Sequence, residues 1–180
     1  QKRVREIAAK YQYEMNGRRH SVLTEQEVTN LCVERGTLNS AERTIVNRHI
    51  DITIEMLESL PFPKHLKNVP EYAGGHHEKM DGTGYPRKLK REQMSVQARI
   101  MAIADIFEAL TANDRPYKKA KPLSESLRIM AFMARDQHID ADLFRVFVEQ
   151  GVYLEFAQQF LAAEQIDEVD ISKIFALASS

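Results

Sequence analysis

An all-α bundle is the fold class this sequence predicts, and three observations carry it. Apolar residues recur with a helical period along nearly all of the 180 residues, and no run alternates as a half-buried strand would. Capping residues and Gly or Pro stops punctuate the chain at helix-length intervals. One polar stretch, residues 81–95, is rich in Gly, Pro and Lys and reads as a single long loop. The length suits one domain with a sizeable core. We expect residues 37–180 to form it, with 1–36 as N-terminal helices. Because the chain opens "QKRVREI" without Met, those helices read as a remnant or linker from a longer parent.

Along the chain, "KRVREIAAKYQYEM", residues 2–15, predicts a first helix closed by Asn16-Gly17. Thr24 and Glu27 form a capping box for "EQEVTNLCVER", residues 25–35, which Gly36 closes. Asn39 with Glu42 opens a long helix, "SAERTIVNRHIDITIEMLESL", residues 40–60, stopped by Pro61-Phe62-Pro63. A short helix precedes Pro70, and another carries Glu71 to Lys79. "VQARIMAIADIFEAL", residues 96–110, is apolar on nearly all sides and predicts a central, buried helix. Three amphipathic helices come next, from Leu123, Ala141 and Tyr153, and a weaker one ends the chain. Met130, Phe132 and Met133 are core filler.

Composition excludes several functions. Basic and acidic residues number 25 and 26, so no global charge draws the chain to a nucleic-acid polymer or an anionic membrane. No apolar run approaches the ~20 residues of a membrane span. The single Cys32 excludes an internal disulfide and suits a reducing cytosol, as a small buried hydrophobe. The run "RKLKR", residues 87–91, lacks interleaved aromatics and reads as a solvated loop or as phosphate contacts.

The residues that can carry chemistry are few. Asp105 sits in an apolar wall, where an acid needs an ion pair, with Arg99 or Arg115, or a metal. His49 falls on the stripe of Ile45, Ile52 and Met56, as a hydrogen-bonded core residue or a ligand. His76 and His77 are adjacent, and on a helix they would diverge by about 100°. Gly74 and Gly75 before them would admit close approach of another backbone. Together His49, His76, His77 and Asp105 offer three imidazoles and a carboxylate, a set that suits Fe, Mn, Zn or Ni over Mg or Ca. Helical bundles build metal sites from such inward residues. Glu25, Glu27 and Glu34 read as solvated, Glu78 and Lys79 as an exposed pair, and His138 as a turn or cap before a helix start at Asp140. His20 and His65 have no acid cluster near them.

"HHEKMDGTGYP" and "ARIMAIADIFEALTANDRPYKKA" closely resemble the HD-GYP subgroup of HD-domain metal-dependent phosphohydrolases, as does "ERTIVNRHIDITIEMLESLPFP". The likeness covers roughly residues 37–150. It implies an all-α bundle holding divalent metal, iron or manganese first and zinc or nickel next, that hydrolyses the bacterial messenger cyclic di-GMP to pGpG or GMP. It implies His49, His76, His77 and Asp105 as metal ligands. Gly82, Gly84, Tyr85 and Pro86 would be the loop beside the substrate, with Arg115 and Lys118 facing its phosphates. It further implies an attached sensory or regulatory domain and admits a homodimer. One element departs: the family's adjacent His-Asp pair, whose acid bridges the metals, occurs nowhere in this chain. Either that half lies in sequence outside this chain, or the chain is a degenerate module that binds a cyclic dinucleotide or a protein partner. An HD-type phosphohydrolase acting on another phosphoester is the third reading.

Overall fold

The computed structural model describes residues 1–33, 36, 38–113 and 120–179, which divide into two units, Gln1–His49 and Ile50–Ser180. In the first unit α1 (Lys2–Lys10) stops five residues before the expected end. The chain then folds back as a hairpin: β1 (Gln12–Met15) pairs antiparallel with β2 (Arg18–Ser21), Gln12 opposite Ser21 and Met15 opposite Arg18. Asn16 and Gly17 both take positive φ, 53° and 70°, the two-residue turn whose twist matches paired strands. The Asn-Gly pair is therefore a hairpin turn and not a helix stop. These strands expose both faces, so they carry no alternation that a sequence could show.

Both predicted capping boxes form. Thr24 and Glu27 bond reciprocally ahead of α2 (Glu25–Leu31), and Asn39 and Glu42 do so ahead of α3 (Ser40–Asn47). The long helix expected over 40–60 is interrupted at Arg48, after which α4 runs His49–Glu58. At the break, His49 Nδ1 bonds the Val46 carbonyl at 2.7 Å, the acceptor a continuous helix would present to Ile50. Cys32 is half-buried rather than core.

In the second unit α4 buries Ile50 and Ile54, while Ile52 and Met56 of the expected stripe remain 58% and 57% exposed. Ile45, in the first unit, is also exposed. Apolar residues lie on two faces of this segment, and packing selects the other one. The reason is α5 (Val69–Gly74), which comes after a 3-10 turn at Lys64–Leu66: a Cβ on Gly74 would stand 2.8 Å from Ile54 Cδ1, so only glycine lets α4 and α5 meet this closely. Gly75 does the same for α6 (Val96–Thr111), where a Cβ would lie 2.8 Å from that of Ala98. α6 is not buried on all sides. It inserts Ala98, Ala102, Ile103, Phe107 and Thr111 and leaves Ile100, Met101 and Asp105 exposed.

The core gathers α6 with α7 (Leu123–Arg135), α8 (Ala141–Glu149), α9 (Val152–Phe160) and α10 (Ile171–Ser179). Leu123, Leu127, Met130, Phe144, Val148 and Ile174 are its buried centre. The terminal helix is firmly part of it. Two buried polar residues tie the ends of these helices. Gln165 donates to the carbonyls of Thr111 and Lys121 at 2.9 and 3.2 Å. Asp140 caps α8, accepting from the Asp142 and Leu143 amides, and receives Arg91 at 2.9 Å and Arg99. Burial pushes the Asp140 carboxyl up. Hydrogen bonds from Arg91, the Leu143 amide and Arg99 outweigh it, holding the group below the usual carboxylate range. Arg99 is thus the partner of Asp140 and not of Asp105. No helix among the described residues is long and apolar enough to cross a membrane.

Candidate metal centre

Helix α5 ends at Gly74, short of the expected Lys79, and this brings the histidine pair together. His76 and His77 lie in the turn beyond it, so the divergence of neighbours on a helix does not apply. Their ring centroids are 4.1 Å apart. His49, the first residue of α4, joins them: one ring nitrogen from each of the three lies within 4.8 Å of the others. His49 is exposed, and the pair is half-buried.

Two of the rings have their tautomer set by the backbone. His76 Nδ1 bonds the Ala73 carbonyl at 2.6 Å, as His49 Nδ1 bonds Val46. A carbonyl oxygen only accepts, so Nδ1 carries the proton and Nε2 keeps the lone pair that a metal ligand requires. Such an outer hydrogen bond also fixes the ring's direction. Three imidazoles, two of them prepared this way, fit a first-row transition ion far better than Mg or Ca.

Asp105 is exposed on α6 and lies outside this group of three. It sits close enough to Tyr85 to act on it electrostatically. Burial first, and the Asp105 charge second, push the Tyr85 phenol above its ordinary range. The Tyr85 ring stacks on His77 with centroids 4.9 Å apart. The Gly-Tyr-Pro loop is therefore the wall beside the imidazoles.

That wall is closely built. Gly82 holds φ +81°, Gly84 is buried, and the Tyr85-Pro86 peptide is cis, with Pro86 half-buried. A Cβ on Gly84 would fall 2.5 Å from Glu78 Cα, so the loop lies flat on the chain leaving His77. Asp81 accepts from both the amide and the hydroxyl of Thr83 at 2.8 Å. These bonds, the amide's first, hold its carboxyl below the usual range. Glu78 is not an exposed ion pair: it is 1% exposed and takes the amides of Arg87 and Leu89 at 2.7 and 3.0 Å. A Glu after two histidines carries no periodic signal, so sequence reasoning gave no sign of its burial.

The basic run is only partly a solvated face, since Arg91 is committed to Asp140 and Asp142. Arg115, Lys118 and Glu34 lie outside the described residues. Glu27 completes the capping box that Thr24 opens for α2, and Glu25 is exposed. His138 is half-buried just before the Asp140 cap. Burial, then the nearby Lys79, hold its imidazole below the usual range against an opposing pull from Asp81.

The start of one helix and the turn after another bring three imidazoles together beside the Gly-Tyr-Pro loop, a group that could hold a metal ion in a helical domain. The chain belongs to the HD domain family, whose model matches residues 24–143, and within it to the HD-GYP type. It is 43% identical over 105 residues to a 3'3'-cGAMP-specific phosphodiesterase of Vibrio cholerae, covering 57% of this chain and 22% of that protein. It is 40% identical over 119 residues to a cyclic di-GMP phosphodiesterase of Pseudomonas aeruginosa, covering 66% of this chain and 28% of that protein. A cyclic di-GMP phosphodiesterase of Thermotoga maritima is 38% identical over 98 residues, covering 54% and 26%. The chain spans about a quarter of the length of these relatives.

Proposed function

We propose that this chain is a metal-dependent phosphodiesterase domain for cyclic dinucleotides, with cyclic di-GMP opened to pGpG or GMP as its reaction. The single observation that carries the reading is the convergence of His49, His76 and His77 beside Tyr85. In it these three histidines, completed by Asp105, hold a divalent ion, iron or manganese before zinc or nickel. Bound there, the ion would polarise a phosphoryl oxygen and activate water. Tyr85 stands against His77 with a protonated hydroxyl that can donate to a phosphate oxygen. Gly82 and Gly84 let the loop pack closely on Lys90 and Glu78, and in this reading the loop flanks the substrate. Arg115 and Lys118 offer cations to the phosphates, Arg as a bidentate fork and Lys as a point charge. The names of the relatives support a cyclic dinucleotide as the substrate class.

The chain lacks a His-Asp dipeptide, and without a bridging carboxylate two ions repel at short range. The chain by itself is therefore expected to bind at most one ion weakly and to turn over little. That same observation favours a second reading, a module that binds the dinucleotide without hydrolysing it. The test is to measure ion content, cyclic di-GMP binding and pGpG release with Mn or Fe, for this chain and for His76→Ala and Asp105→Ala. We expect metal-dependent binding that both variants weaken at least about tenfold, as loss of a ligand does. Robust hydrolysis surviving both substitutions would overturn the site. Two or more tightly held ions per chain would overturn the single-ion expectation. Metal-dependent cleavage of other phosphodiesters, with cyclic di-GMP left intact, would move the assignment to another phosphoester.

A further inference from the structure

We propose that Glu78 is the positioning residue of this site, seating Tyr85 on His77 by clamping the backbone of the Gly-Tyr-Pro loop. It comes directly after His77, so one end of its reach is fixed by a residue of the imidazole group. At the other end its two carboxylate oxygens divide the work. Oε1 accepts from the Arg87 amide at 2.7 Å and Oε2 from the Leu89 amide at 3.0 Å. Both amides lie just past Tyr85 and Pro86, so the clamp closes the loop immediately downstream of the ring it must hold. Upstream, the Tyr85 amide donates to the His77 carbonyl at 3.3 Å. Gly84 lies flat against the Glu78 Cα, where any side chain would lift the loop. The ring is thus held from three sides.

The chemistry demands this residue type. Two backbone donors facing one buried position need two acceptors, and a carboxylate supplies both. A glutamine has the same shape but offers one oxygen and an NH₂, which would point a donor at a donor. An aspartate is one methylene short. With Glu78 1% exposed, water cannot stand in for a lost acceptor. The acid therefore serves the loop and not an ion.

The test compares the full chain with Glu78→Gln and Glu78→Ala. Amide exchange at Arg87 and Leu89 and the contact between the Tyr85 and His77 rings are read by NMR, alongside Mn and cyclic di-GMP affinities. In Glu78→Gln one of the two amides should exchange about tenfold faster, and in Glu78→Ala both should, for the loss of a buried hydrogen bond. The ring contact should weaken in each, Mn affinity should stay within about twofold, and dinucleotide affinity should fall about tenfold. Unchanged amides and an intact ring contact in Glu78→Gln would overturn the proposal. So would a parallel loss of Mn affinity, which would make Glu78 part of the ion's site. Faster exchange spread equally through α7 would also overturn it, by showing general unfolding rather than release of the loop. Only the dinucleotide measurement rests on the phosphodiesterase reading. If the unsubstituted chain binds no dinucleotide, that reading fails, while exchange and ring contact still decide the role of Glu78.

Discussion

The core of α7 to α10 and the loop from Lys79 to Arg91 sit in the same unit yet are held by opposite means. The core excludes water with Leu, Met, Phe, Val and Ile side chains, among which Leu127, Met130 and Phe144 are at most 1% exposed. The loop has little apolar mass, a small cluster of Met80, Leu89, Met94 and Ala98. It owes its shape to polar atoms spent on backbone and charge: Glu78 on two amides, Asp81 on Thr83, and Arg91 on Asp140. Non-directional burial is spread over many residues, so a core tolerates repacking. A directed hydrogen bond in a dry place depends on one residue. The core supplies stability, and the loop supplies the placement of Tyr85.

Breaking the core should give the largest change. Phe144→Ala removes the largest fully buried side chain among the described residues and should cost about 4 kcal/mol by urea unfolding. The imidazole group, which rests on α4 and the turn after α5, should keep its metal affinity wherever the chain remains folded. A matching loss of metal affinity in the folded variant would show that core and site are not separable.

Next comes the joint between the two regions. Asp140→Asn leaves Arg99, 15% exposed, without its charged partner and should cost about 3 kcal/mol. Because the folded chain holds the Asp140 carboxyl below the usual range, its contribution is complete above about pH 4 and fades as pH falls through the folded value. The Asn variant should therefore show a flatter acid limb than the unsubstituted chain. Equal limbs would mean that ionisation of Asp140 contributes nothing to the acid dependence of stability.

The same contrast explains what was legible in the sequence. Helices α6 to α10 were readable because burial imposes a period on many residues at once. Both capping boxes were readable because Thr24 with Glu27 and Asn39 with Glu42 act within one turn. The hairpin was missed because strands exposed on both faces carry no alternation, and Asn16-Gly17 serves equally as a helix stop or a tight turn. The break at Arg48 was hidden because Ile45, Ile52 and Met56 keep a helical spacing across it while remaining exposed. The histidines stood out as residue types, and their closeness to His49 required the turn after Gly74. Glu78 was invisible because its partners are backbone amides nine and eleven residues away.

A methyl group in the loop should do less to stability and more to the site. Gly84→Ala forces the backbone away from Glu78 and should cost about 2 kcal/mol. The Tyr85 stacking on His77 should be lost with it, as a change in the NMR signals of both rings. An unmoved Tyr85 ring would show that the loop can absorb the methyl elsewhere.

The smallest effect should have the opposite sign. Ser126 lies in the core on α7, 0% exposed, and its hydroxyl has no hydrogen-bond partner among the described residues. A buried hydroxyl that has given up water without a protein acceptor is a cost that the surrounding apolar contacts must offset. Ser126→Ala removes one oxygen, keeps Cβ and improves helix propensity. It should therefore raise stability by about 1 kcal/mol, read as a higher urea midpoint with unchanged slope. In the loop no such gain is available, because Glu78, Asp81 and Arg91 are all engaged there. A loss of stability in Ser126→Ala would mean that the hydroxyl bonds a buried water, and that the core too depends on a directed contact.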